Sequence, residues 1–324
     1  MIKMGAILLI FETLLQVLMS VYMSFPISFP IPEIADILDS VFYDVAYLAS
    51  FMLPALFLPL FFQASERQPK RLSPKLSGST IAFIFAGVTC VFAFSYINSI
   101  VCSTIFGEIN AVEDMFVYAP TYTSDYGVVL QFITIALVPA FCEEFLFRGV
   151  VLSNLMPYGK STAIIVSAVC FGLMHSNFQQ FLYATVAGIV LGVVYVLTDS
   201  IWPSTIIHMI NNALSVLQLV LFERMEESYA VIAWVAVNCI VFVLGIISAV
   251  YLIKKYRSKE QVKESVFDKP LHMSYENEDA ALCGNANLPA KDAIRLFFTP
   301  TMLAFVIYCI AIAFLSLIPM SMYE

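Results

Sequence analysis

The stretch Cys142-Glu143-Glu144-Phe145-Leu146-Phe147-Arg148-Gly149 places two adjacent carboxylates and an arginine in one otherwise apolar run. Further on, Phe171 and His175 stand four residues apart, and so do His208 and Asn212. On a helix, residues at i and i+4 share a face. Glu144 and Arg148 have the favoured order for an ion pair, acid first. Glu143 points about 100° away around the helix and cannot share that pairing equally. The economical expectation is that Glu144 and Arg148 fix each other while Glu143 faces another helix or a cavity, where a carboxylate can act as general base. Phe171 would form an aromatic wall beside the His175 imidazole. His208 and Asn212 are two side chains able to donate hydrogen bonds, with Asn211 close to the same face.

These groups are unusual because of where they sit. The chain has 324 residues, 60% hydrophobic and only 12% charged. Soluble domains carry about 25% charged residues, so half the usual charge cannot cover a water-soluble surface of this size. Soluble, disordered and coiled-coil classes are excluded. A net charge of −8 would repel phosphates, so no nucleic-acid partner is expected. The seven cysteines include no C-x-x-C pair and are odd in number. They read as small apolar filler rather than as a disulfide framework or zinc knuckle.

The expected fold is an all-α polytopic membrane bundle of about nine transmembrane helices, with eight as the nearest alternative. Spans of about 20 apolar residues are read at 4–24, 41–63, 79–105, 127–156, 160–177, 178–197, 201–221, 229–253 and 300–320. The first lacks an A-x-A-like cleavage site and carries Glu12, so it is read as a retained helix. Pro26, Pro30 and Pro32 predict an irregular or interfacial segment over 25–40. Three regions follow: N-terminal helices and loops over 1–126, a catalytic core over 127–221, and C-terminal helices over 222–324 with a polar cytoplasmic loop at 254–299.

Lys and Arg fix the orientation. The inner loops of a nine-span chain with its N-terminus inside include 64–78, with Arg67, Lys70, Arg71 and Lys75, and 254–299, with eight cations. The outer loops 25–40, 106–126 and 222–228 hold Arg224 alone. The positive-inside rule is satisfied, which places the N-terminus in the cytoplasm of what reads as a bacterial plasma membrane. Counting about 1.5 Å per residue from the turns at 157–159 and 198–200 puts Glu143 about 21 Å in, His175 about 24 Å, Asn212 about 18 Å and His208 about 12 Å. The expectation is an intramembrane catalytic cavity reached from the inner, cytoplasmic side. Ala184, Gly188 and Gly192 form a small-residue face suited to close helix approach, and Pro139, one turn before Glu143, could help open the cavity. To Glu12 and Asp44, acids within the spans, the sequence assigns no role.

In order and spacing, E-E-x-x-x-R, F-x-x-x-H and H-x-x-x-N on successive apolar helices resemble the CAAX protease and bacteriocin-processing (CPBP) family of intramembrane proteases, which includes CAAX prenyl protease 2-like and Abi proteins. The resemblance covers about 127–221 and includes Asp199-Ser200-Ile201-Trp202-Pro203-Ser204 leading into His208. It implies a conical cavity in which Glu143 and His175 activate water, His208 and Asn212 stabilise the oxyanion, and Glu144 and Arg148 support the catalytic helix. It implies a membrane-associated peptide or protein as substrate. The family is commonly called a metalloprotease, and Glu143, His175 and His208 could hold Zn²⁺. There is no H-E-x-x-H and Asn212 is a poor zinc ligand, so metal-independent chemistry is slightly favoured. The competing functions are a non-catalytic membrane scaffold or bacteriocin-immunity protein, and, further off, an ion-coupled transporter, for which no internal repeat is found.

Overall fold

The computed structural model describes residues 2–24, 30–61, 77–106, 126–156, 159–257 and 298–315. Among them there are nine helices and no strand. They are α1 (Ile2–Ser24), α2 (Pro32–Phe61), α3 (Gly78–Phe106), α4 (Gly127–Leu155), α5 (Lys160–Met174), α6 (Phe178–Thr198), α7 (Ile201–Arg224), α8 (Glu227–Arg257) and α9 (Pro300–Leu315). The all-helical expectation holds. Six helices are long and apolar enough to cross a membrane: Met4–Tyr22, Gly78–Ile105, Gly127–Leu155, Phe178–Thr198, Ile201–Arg224 and Glu227–Tyr256.

Three of the nine helices are not among these six. Over the described residues α5 has 15 and α9 has 16, about 22 and 24 Å of helix beside a hydrocarbon layer of about 30 Å. α2 is long, but its first half carries Glu33, Asp36, Asp39 and Asp44, and it is not among the six. The irregular segment expected over 25–40 is also corrected, because α2 already begins at Pro32. A proline at the first helical position loses no hydrogen bond, so Pro32 starts the helix rather than breaking it. The polar loop expected from 254 begins later, since α8 continues to Arg257. The remainder of 254–299 up to residue 297, and most of 64–78 and 106–126, lie outside the described residues.

Exposed apolar side chains show how the bundle meets its solvent. α8 turns Val231, Ile232, Val235, Ile240, Val243, Ile246 and Ile247 outward. A continuous apolar face of this size is costly in water and natural against lipid, where helices satisfy every backbone group internally. Inside, α4 and α5 supply most of the main core, with Leu146, Phe147, Val151, Leu152, Ala163, Val166 and Cys170 packed against Phe11 and Phe51 of α1 and α2.

The small-residue face of α6 is a contact with α5, as its spacing suggests. A Cβ on Gly188 would stand 2.9 Å from Ala168 Cα and 3.0 Å from its Cβ. One on Gly172 would meet Thr185 Oγ1 and lie 2.7 Å from the Phe181 carbonyl oxygen. These are backbone-to-backbone approaches that cannot relax by turning a side chain. Gly188→Ala is therefore expected to cost about 1–3 kcal/mol of stability through overpacking, read as a lower unfolding temperature in detergent.

Candidate active site

α4 departs from regular α-helix on both sides of the segment that carries the acidic pair. Phe132–Leu137 and Phe145–Leu152 are wide π-helical turns on either side of Val138–Glu144. Such turns are rare and cluster at functional sites. Pro139 has no N–H to offer the Ile135 carbonyl one turn back. That carbonyl instead accepts from Asn212 Nδ2 at 3.1 Å, which binds α7 to α4. The proline near the site and the Asn of the third motif are thus two halves of one arrangement. Asn212 Oδ1 accepts from Asn211 Nδ2 at 3.3 Å, and Asn211 Oδ1 accepts from Tyr183 Oη at 2.8 Å. One Asn212 amide hydrogen is left for another acceptor.

Glu144 and Arg148 pair within α4. Arg148 Nη1 donates to Glu144 Oε1 at 2.7 Å, and both side chains are buried. Arg148 Nη2 donates to the Gly188 carbonyl at 3.1 Å, so the glycine that admits α5 also anchors the guanidinium. Glu144 does more than hold the arginine. The same Oε1 accepts from His208 Nδ1 at 3.1 Å. His208 Nε2 is then directed at Glu143, 3.7 Å from its Oε2.

Glu143 takes the other face. It lies on the wall of a cavity of about 280 Å³ together with Phe171, His175, His208 and Asn212. Its Oε1 accepts a 2.5 Å hydrogen bond from Tyr47 Oη. Its Oε2 is buried and has no hydrogen-bond partner. His175 Nδ1 donates to the Phe171 carbonyl at 2.8 Å, which fixes the tautomer and leaves Nε2 as an acceptor. The Phe171 ring touches both imidazoles edge-on, with centroids 5.0 Å from His175 and 5.8 Å from His208. The Arg148 guanidinium lies 4.9 Å from the same centroid. Phe171 is the spacer that sets the two histidines against the ion pair.

All seven residues singled out by the motifs are thus gathered in one place. Residues 125–214 match the family model described as type II CAAX prenyl endopeptidase Rce1-like. The match agrees with the resemblance carried by the three motifs and contains every one of their residues. No curated protein and no solved structure matches the chain.

Side chains outside the Rce1-like segment also line or brace the site, and three do so through hydrogen bonds to it. Tyr47 is the first, and the series Tyr43, Tyr47, Phe51 at four-residue spacing is the sequence signal that could have found it. Its rings run in series along one face of α2, 6.1 and 4.8 Å apart. Asp44 is the second. Its Oδ2 accepts from Thr134 Oγ1 at 3.3 Å and from Ser40 Oγ at 3.4 Å, fastening α2 to α4. Glu12 is the third. It is fully buried and accepts from Gln16 Nε2 at 3.1 Å and from Ser176 Oγ at 2.9 Å. Ser176 follows His175 with φ +47°, so Glu12 steadies the turn that presents the imidazole.

The zinc ligands read from the sequence do not fit as placed. Among the described residues no three His, Cys, Asp or Glu side chains form a group that could hold a metal ion, whereas a catalytic zinc takes three such ligands at about 2.0–2.2 Å.

The cavity runs along the bundle from a buried floor to partly exposed walls. Its buried floor is formed by Glu143, Leu191, Ile207 and His208. Its partly exposed walls are Gln16, Asn177, Gln180, Tyr183 and Ser215. Those residues lie toward the 175–177 turn, not toward the turns at 159 and 199 from which the depth count starts. α5 ends at Met174 and α6 begins at Phe178, and the turn between them carries His175.

Proposed function

We propose that the chain is an intramembrane endopeptidase that hydrolyses a peptide bond of a membrane-associated protein or peptide, with Glu143 and His175 activating water. The observation that carries this reading is the buried, unpartnered Glu143 Oε2 on the cavity wall beside two imidazoles. The Rce1-like match supports the same class of reaction.

In this reading a water bridges Glu143 Oε2 and His175 Nε2. Its proton passes to Glu143 as its oxygen bonds to the scissile carbonyl carbon, and the carbonyl π pair moves onto oxygen. That oxyanion accepts hydrogen bonds from His208 Nε2 and from the free Asn212 amide hydrogen. The proton on Glu143 then moves to the leaving nitrogen as the C–N bond breaks. His208 must carry both ring protons to donate at Nε2 while bonded to Glu144. With that proton the buried series Glu143, His208, Glu144 and Arg148 alternates in sign and sums to zero, the condition under which charges survive burial. No step needs a metal ion, and activity is expected to persist in protein whose metal content by elemental analysis is far below one equivalent per chain.

Tyr47 gives Glu143 its asymmetry. With Oε1 engaged by the phenol, Oε2 is the oxygen left for water. Tyr47→Phe removes a hydrogen bond to a charged group, worth about 1.5–3 kcal/mol. It is expected to lower kcat about 10–100-fold with KM little changed, in steady-state cleavage assays. The reading as a whole is tested by incubating reconstituted protein with a library of membrane peptides, beside Glu143→Ala. A wild-type protein that cuts nothing beyond what Glu143→Ala cuts would remove the peptidase from consideration.

A further inference from the structure

The cavity mouth and the cations lie at opposite ends of the bundle. Asn98 of α3 bonds the Gln179 carbonyl, and Gly87 packs on Val190 and Ile207. α3 therefore runs antiparallel to α6, and its start at Gly78 lies at the same end as Asp199. Lys255 Nζ bonds Ser79 Oγ, which brings the last turn of α8 to that end as well. Lys160, Lys254, Lys255 and Arg257 are thus grouped away from the mouth. The sequence that follows α2 holds Arg67, Lys70, Arg71 and Lys75, and the sequence that follows α8 holds Lys259, Lys263 and Lys269. The mouth end carries Glu33, Asp36, Asp39, Glu223, Glu226 and Glu227 against Arg224 alone among the described residues. No Lys or Arg lines the cavity among the described residues, and Arg148 beneath it is committed to Glu144 and Gly188.

Lys and Arg in short loops are retained on the cytoplasmic side. We infer that the cavity opens on the face opposite the cytoplasm and that it takes a positively charged peptide presented there. This rests on the peptidase reading for what happens to the peptide, but the orientation stands on the distribution of cations alone. Acidic residues at the same end as the mouth of a cavity whose base is a buried carboxylate raise the local concentration of a cationic chain there. About 280 Å³ lies at the small end of ligand sites, which suits an extended strand of a few residues rather than a folded partner. A prenylated tail offered from the cytoplasm would arrive at the cationic end, away from the mouth.

Single cysteines at Gln180 and Ser215, on the cavity wall, and at Lys160, at the other end, test the orientation. Intact cells making each full-length variant are treated with a membrane-impermeant maleimide, with wild type as background for the native cysteines. Gln180→Cys and Ser215→Cys are expected to label in intact cells, and Lys160→Cys only after permeabilisation. The reverse pattern overturns the inference. Two wall positions are used so that one misfolded variant does not decide the result. The charge requirement is tested with a lysine-containing extended peptide and its Lys→Gln counterpart, added to proteoliposomes with the mouth outward at low ionic strength. The basic peptide is expected to be cut at least about tenfold faster, an advantage that salt removes. Equal rates overturn the charge requirement. Labelling as expected with no cleavage of either peptide, even in detergent, supports the orientation and removes the peptidase reading.

Discussion

Glu143→Gln is expected to fold as the wild type does and to cleave nothing measurable. The substitution keeps the size of the side chain and its ability to accept from Tyr47, so the α2–α4 contact survives. What it removes is the one buried oxygen on the cavity wall that can accept a proton. Positioned general bases contribute about 10²–10⁴-fold. In a site without another carboxylate facing the water, the loss belongs at the upper end of that range. The measurement is kcat/KM on any cleaved peptide, beside the unfolding temperature in detergent. An unchanged unfolding temperature with activity within tenfold of wild type would take Glu143 out of the mechanism. His175→Ala should fall in the same class, since Nε2 is the other acceptor available to the water.

The site was legible to the degree that its chemistry follows helix spacing. Glu144 and Arg148 at i and i+4 had to meet, and Glu143, one residue away, had to face elsewhere. The same periodicity marked Phe171 with His175 and the glycines of α6. Contacts between distant helices were not legible. Nothing local to Tyr47 says that its phenol meets Glu143, 96 residues on, and nothing local to Glu12 says that it ties down Ser176 across 164 residues. Both are tertiary encounters set by how α1 and α2 lean on α4 and α5. The role of Pro139 was half visible. A proline frees a carbonyl, but which side chain takes it depends on α7. The end at which the cavity walls are exposed was not legible for a related reason. Residue counting gives depth along one helix, while the opening depends on where neighbouring helices stop, and α5 stops early.

The other large effect concerns the buried pair, where stability and chemistry can be separated. Glu144→Ala leaves Arg148 buried without its acid and releases His208 Nδ1. Arg148→Ala leaves Glu144 with His208 alone. Breaking one side of a buried ion pair costs about 3–5 kcal/mol, so both single variants are expected to give poor yield and a much lower unfolding temperature. A double replacement with apolar residues of similar volume, Glu144→Leu with Arg148→Met, removes both charges at once. Such exchanges are often neutral for stability, so the double variant should fold far better than either single one. It should nonetheless be nearly inactive, because His208 has lost the carboxylate that orients its ring and balances its charge. A stable double variant with wild-type turnover would mean that Glu144 serves only the fold. A double variant as unstable as the singles would mean that the packing around Gly188 and Phe171, rather than charge pairing, depends on the Arg148 guanidinium itself. The expected result, restored stability without restored activity, follows from one oxygen, Glu144 Oε1, accepting from both Arg148 and His208.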